Sequence, residues 1–210
     1  MIELPRGALT RLKRVDPALG RLIKEIGPFA LQIGRADGPF DALLRAIAYQ
    51  QLSGKAAATI YGRFRARVGE STLPHPAAIA ALDDESLRAC GLSRQKVSYI
   101  RDLCRLVESG ALDLSTLGDL GDEEVIAALT QVRGFGRWSA EMFLMFQLGR
   151  LDVWPSTDLG VRKGLQRLRG EDEMPSFAEA ALRGDPYRPF RTVVAWYLWR
   201  SLDNGDGQGG

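Results

Sequence analysis

Two short stretches of this chain carry groups suited to chemistry. The first is Val132-Arg133-Gly134-Phe135-Gly136-Arg137-Trp138-Ser139-Ala140-Glu141. Apolar residues at helical spacing on either side predict a helix over 122–131, a tight turn at the glycines, and a second helix over 134–148. Two glycines permit positive φ and leave the backbone amides uncovered. The second helix then offers its N-terminal N–H groups, Ser139 among its first residues, to an anion. Such a hairpin suits a DNA phosphate gripped without sequence readout. The glycines alone describe a plain corner between two helices equally well. A dinucleotide-binding loop is excluded, because no strand precedes the glycines and the third glycine is missing.

The second stretch is Val153-Trp154-Pro155-Ser156-Thr157-Asp158-Leu159-Gly160-Val161, with Asp158 22 residues after Gly136. Asp158 stands where a Pro-containing loop turns into a helix. A carboxylate there has two readings, a helix N-cap or, in a cleft close to the hairpin, a group that acts on a sugar.

The composition narrows the classes. Of 210 residues 45% are hydrophobic and 26% charged, which suits a folded domain and not a disordered chain. The net charge of +2 says little about partners; the excess of arginine among the 28 basic residues suits phosphate contacts, though a GC-rich genome accounts for it better. Two cysteines, Cys90 and Cys104, support neither a disulfide scaffold nor an iron–sulfur cluster, which needs four thiolates. The one histidine, His75, lies in a polar loop and makes a His-based metal site implausible. No apolar run of transmembrane length and no signal peptide is visible, so a cytoplasmic protein without membrane contact is expected.

The elements that position these residues are helical nearly throughout. Helices are predicted over 16–26, 40–52, 53–68 (capped by Ser53), 76–81, 84–90, 93–108, 122–131, 134–148, 158–168, 176–182 and 189–202. Strand-like alternation is nearly absent. The expectation is an all-α fold of two helical lobes flanking a cleft, a single domain over 1–203, with a hairpin at 122–147, a carboxylate-bearing loop and helix at 151–168, and a disordered tail at 204–210.

Val-x-Gly-Phe-Gly-Arg-Trp-Ser-Ala at 132–140 followed by Pro-x-x-Asp-x-Gly-Val at 155–161 resembles the helix-hairpin-helix-Gly/Pro-Asp DNA glycosylase superfamily, in its AlkA-type 3-methyladenine branch. The helix over 40–53, ending in Gln50-Gln51-Leu52-Ser53, is similar to that family's Gln-Gln-x-Ser segment, and Arg188-Pro189-Phe190-Arg191 to the opening of its final helix. The resemblance runs from about Asp16 to Leu202 and implies a base-excision enzyme working as a monomer on damaged double-stranded DNA. The branch's N-terminal β-rich region has no counterpart here, which implies a short form.

The resemblance also implies roles. Asp158 is the catalytic carboxylate, stabilising an oxocarbenium-like transition state or orienting water. Trp138, Met142 and Trp199 line the pocket for the flipped base, where the family usually has an aromatic residue in place of Met142. Gln51 plugs the gap left in the duplex. Gly134, Gly136, Arg137 and Ser139 grip phosphate, with Ser53 and Lys55 at a second phosphate and Arg162 and Lys163 adding charge; a monovalent cation held by backbone carbonyls near Gly134 is a family implication. Lyase relatives form a Schiff base through a lysine just after Gly-x-Gly-x, whereas this chain has Trp138 there and lacks the cluster cysteines, so a monofunctional glycosylase without metal or cofactor is expected. Two other classes use the same hairpin: a non-catalytic DNA-binding module, and a helical scaffold with a coincidental Gly-x-Gly. Within the enzyme class, deaminated purines are the rival substrates.

Overall fold

A computed structural model describes residues 2–34, 36–69 and 73–203. Among them are twelve α-helices and no strand: α1 (Ala8–Val15), α2 (Pro17–Ile26), α3 (Pro39–Tyr49), α4 (Gly54–Val68), α5 (Pro76–Ala80), α6 (Asp84–Ala89), α7 (Arg94–Glu108), α8 (Asp122–Leu129), α9 (Arg137–Phe146), α10 (Leu159–Arg169), α11 (Phe177–Arg183) and α12 (Arg191–Asp203), with a 3-10 turn at Asp185–Tyr187. The all-α expectation holds. The expected tail at 204–210 lies outside the described residues.

The chain divides into two compact units, Met1–Ile33 with Leu144–Gly210, and Gly34–Phe143. In the first, α12 is the central post: Val193, Val194, Ala195, Trp196, Tyr197 and Leu198 are all buried. Phe29 packs edge-on against Trp196, with ring centroids 5.1 Å apart. Helix α10 lies close against α12 because Gly164 has no side chain; a Cβ there would stand 2.6 Å from that of Leu198. Asp16 caps α2 and also accepts from Tyr187 and Arg169, which joins three distant segments at one buried carboxylate. Burial pushes this carboxyl's pKa up, but those donors outweigh it and hold it below the ordinary value.

In the second unit α3 packs on α4 and α7, and α5 and α6 pack on α7. A buried Asp41 at the start of α3 accepts from Tyr61 and Arg65 of α4. Its Arg65 partner reaches Asp37 as well, at 3.0 Å.

Four expectations shift. Helix α1 was not expected, because its eight residues are few and Gly7 before them offers no capping side chain. Helix α3 stops at Tyr49, not residue 52, since Gln50 turns extended and Gln51 enters the left-handed region at φ 56. Helix α9 starts at Arg137 and not Gly134, leaving the hairpin turn free of helical geometry. Ser53 sits at the N-cap of α4, yet its hydroxyl makes no capping hydrogen bond.

Candidate active site

Asp158 is held from two sides. As N-cap of α10 it accepts the Val161 amide on Oδ1 at 2.8 Å, so the capping reading is correct as far as it goes. The same oxygen also accepts the indole N–H of Trp199, at 2.8 Å and 41 positions along the chain. A cap needs no such second donor, and two donors on one oxygen fix the carboxylate's plane as well as its position.

Three further devices serve this geometry. Gly160 is bare because the indole occupies its side-chain space: a Cβ would lie 2.6 Å from Trp199 Cδ1 and 3.1 Å from Asp158 Oδ1. Phe146, at the end of α9, stacks on the Trp199 ring with centroids 5.8 Å apart and planes 21° from parallel. The loop before Asp158 is pinned to the start of α12, where Arg191 grips Asp152 (2.8 Å) and the Thr192 hydroxyl accepts the Val153 amide (3.0 Å). Buried Trp154 donates to the Ala180 carbonyl, and the Asp158 amide closes a turn onto Pro155. Helix α12 therefore holds the loop at one end through Arg191 and Thr192, and the carboxylate at the other through Trp199. The Arg-Pro-x-Arg segment has this mechanical meaning. Trp199 was expected as a pocket wall; the structure gives its polar edge to Asp158 and one face to Phe146, a partner that sequence reasoning missed.

The remaining candidates, apart from Arg162 and Lys163, belong to the second unit. In the hairpin, Gly134 takes φ 79, a conformation suited to glycine, and a Cβ on it would fall 2.1 Å from a ring carbon of Tyr99. Gly136 stays exposed, as does the Gly134 backbone. The Gly134 carbonyl accepts from Gln50 Nε2 at 2.9 Å, and the Val132 carbonyl from the Phe135 amide at 3.0 Å. Tyr99, Gln50 and Asp102, which accepts the Arg133 amide at 2.9 Å, were all missed as hairpin supports.

Trp138 is 46% exposed in the first turn of α9. Met142, half-buried, follows one turn later on the same side. Ser139 is half-buried, and Gln51, Ser53 and Lys55 are exposed. Arg137, expected at the phosphate grip, is exposed and already carries acidic partners. Its guanidinium pairs with both oxygens of Glu123 and with Glu141, which clamps α8 to α9 and raises its pKa. Arg162 is similarly committed, donating to the Pro175 carbonyl at 2.8 Å and lying over the Phe177 ring. Lys163 is exposed. His75 caps α5, accepting the Ala78 amide. Among the described residues no group of three metal-ligating side chains comes together, and no helix is long and apolar enough to cross a membrane.

Residues 44–184 match the family described as HhH-GPD superfamily base excision DNA repair protein. The chain belongs to that superfamily. It is 35% identical to DNA-3-methyladenine glycosylase 1 of Schizosaccharomyces pombe over 93% of this chain and 86% of the relative. It is 31% identical to the putative DNA-3-methyladenine glycosylase YfjP of Bacillus subtilis, over 78% of this chain and 59% of that protein. Among solved structures, S. pombe 3-methyladenine DNA glycosylase Mag1 in complex with abasic DNA superposes with a TM-score of 0.86 at 34% identity, over 96% of this chain and 99% of that one. A DNA-3-methyladenine glycosidase of Bacillus halodurans gives 0.84 at 37% identity, over 94% and 91%. Membership makes the chain a base excision repair protein, and the resemblance read from 132–140 and 155–161 is correct.

Proposed function

We propose that this protein is a monofunctional DNA glycosylase that flips out alkylated purines of the 3-methyladenine and 7-methylguanine type and hydrolyses their N-glycosidic bond. The observation that carries the reading is the doubly held carboxylate of Asp158 in a helix-hairpin-helix chain. Alkylation at N3 or N7 makes the base cationic, so it departs with the bonding electron pair as a neutral molecule and needs no acid to protonate it. Positive charge then develops on the deoxyribose, where a fixed carboxylate stabilises it. Water adds to the anomeric carbon and gives up a proton, leaving an abasic site. The fixed orientation of Asp158 favours stabilisation by charge, since a carboxylate already aimed costs no reorganisation when the bond breaks.

The hairpin amides of Gly134 and Gly136 supply the phosphate grip, with Ser53 and Lys55 at the start of α4 as a second contact. Trp138 offers an exposed indole face on which a cationic base gains about 0.5–2 kcal/mol by stacking, and Met142 beside it leaves a looser wall than an aromatic would. Trp138 also stands where a lyase would need an amine, and an indole forms no Schiff base.

Incubation with methylated duplex DNA tests the reading directly. Free 3-methyladenine is expected, with the strand intact until alkali is added. Strand scission without alkali would refute the monofunctional assignment, and release of hypoxanthine in place of methylated purines would move the substrate to deaminated bases. The likeness to 3-methyladenine DNA glycosylases supports the methylated class.

A further inference from the structure

Gln50 has no part in the carboxylate's chemistry, yet it stands between the two DNA-facing features of the second unit. Its backbone begins the turn in which Gln51 sits at φ 56, and its side chain donates to the Gly134 carbonyl at 2.9 Å, 84 positions away. A non-glycine residue keeps a left-handed conformation only where its surroundings impose it.

Helix α7 imposes it from behind. Lys96 Nζ donates to the Ala48 carbonyl at 2.8 Å, in the last turn of α3. Tyr99 fills the space beneath Gly134, with its own hydroxyl held by Gln95. Asp102 accepts the Arg133 amide at 2.9 Å. Residues 96, 99 and 102 recur every three positions and share one side of α7. That single helix side fixes both the end of α3 and the hairpin, and Gln50 closes the loop between them.

We propose that Gln50 is a positioning residue that joins the Gln51 turn to the phosphate clamp, so that the hairpin's grip on the backbone sets how Gln51 enters the duplex. The proposal rests on the base-flipping reading of the chain. Without the Gln50 donor the hairpin still binds phosphate, because its amides are untouched, but the turn is no longer in register with it. The loss therefore falls on extrusion of the base and not on encounter with DNA.

The test uses the full chain and Gln50→Met, which keeps length and bulk while removing the donor; Gln50→Asn, too short to reach Gly134, guards against a folding defect in the first variant. Two readouts are taken: single-turnover release of 3-methyladenine, and fluorescence of 2-aminopurine placed opposite a tetrahydrofuran abasic-site analogue, which reports how the gap is filled. Both variants should release base about tenfold more slowly, with altered fluorescence at saturating protein and affinity for undamaged duplex within about twofold of wild type. Wild-type rate and fluorescence in either folded variant would overturn the proposal, and so would an equal loss of affinity for damaged and undamaged duplex. If the wild-type chain releases no base, the functional reading fails by itself, and the fluorescence comparison still decides the role of Gln50.

Discussion

In the function proposed for this chain Asp158 acts on the sugar and Gln51 enters the duplex, and the fold secures the two in opposite ways. Asp158 is fixed through its side chain: the Val161 amide and the Trp199 indole meet on one oxygen, and α12 pins the preceding loop. Gln51 is fixed through its backbone, in a left-handed turn tied down by its neighbours while its side chain is exposed. The difference follows from the tasks. A carboxylate that stabilises a transition state must be aimed before the substrate arrives, whereas a side chain that enters a duplex must have no partner of its own to give up.

The contrast can be broken most forcefully at Gly160. Gly160→Ala places a methyl group 2.6 Å from Trp199 Cδ1, so the indole must move away from Asp158. Misplacing the carboxylate by about 1 Å should slow base release about 100-fold, and the overpacking should cost about 1–3 kcal/mol in thermal unfolding. A near-normal rate would mean that the indole does not aim the carboxylate.

Trp199→Phe is milder. It removes the donor but keeps a ring against Phe146, so single-turnover release should fall about tenfold while stability changes little. Trp138→Ala tests the exposed side of the comparison. Removing a stacking face that is 46% exposed should weaken action on methylated bases roughly 2- to 30-fold without moving the melting temperature.

The smallest effect on catalysis is expected at Asp16, far along the chain from either group. Asp16→Asn should leave base release unchanged and cost about 1–2 kcal/mol of stability at neutral pH. The sign of its pH dependence follows from the lowered pKa: the carboxylate's contribution is complete above its ordinary value of 3.8 and is lost as pH falls through the folded-state value. Urea unfolding of wild type and variant should therefore converge in acid and stay apart above about pH 5.

The legible parts of this molecule are those written in local spacing. Apolar periodicity marked the long helices, and Gly134-Phe135-Gly136 and Pro155-x-x-Asp158-x-Gly160 each announced themselves within ten residues. What could not be read is contact between residues far apart in the chain. Nothing near Asp158 foretells a hydrogen bond from Trp199, and nothing near Gly134 points to Gln50 or Tyr99. Charge pairing was hidden for the same reason: nothing beside the hairpin shows that Arg137 pairs with Glu123, 14 positions earlier. The end of α3 was misplaced because Gln50 and Gln51 carry no breaker chemistry. Their turn is imposed by tertiary contacts and overrides a fair helix propensity.

The most direct measurement compares wild type with Asp158→Asn on methylated duplex DNA, because asparagine caps a helix about as well as aspartate but carries no charge. The variant should keep its melting temperature and its binding to abasic duplex and should release base about 100-fold more slowly, or slower still. Equal rates of release would show that Asp158 is only the cap of α10, and would contradict the assignment.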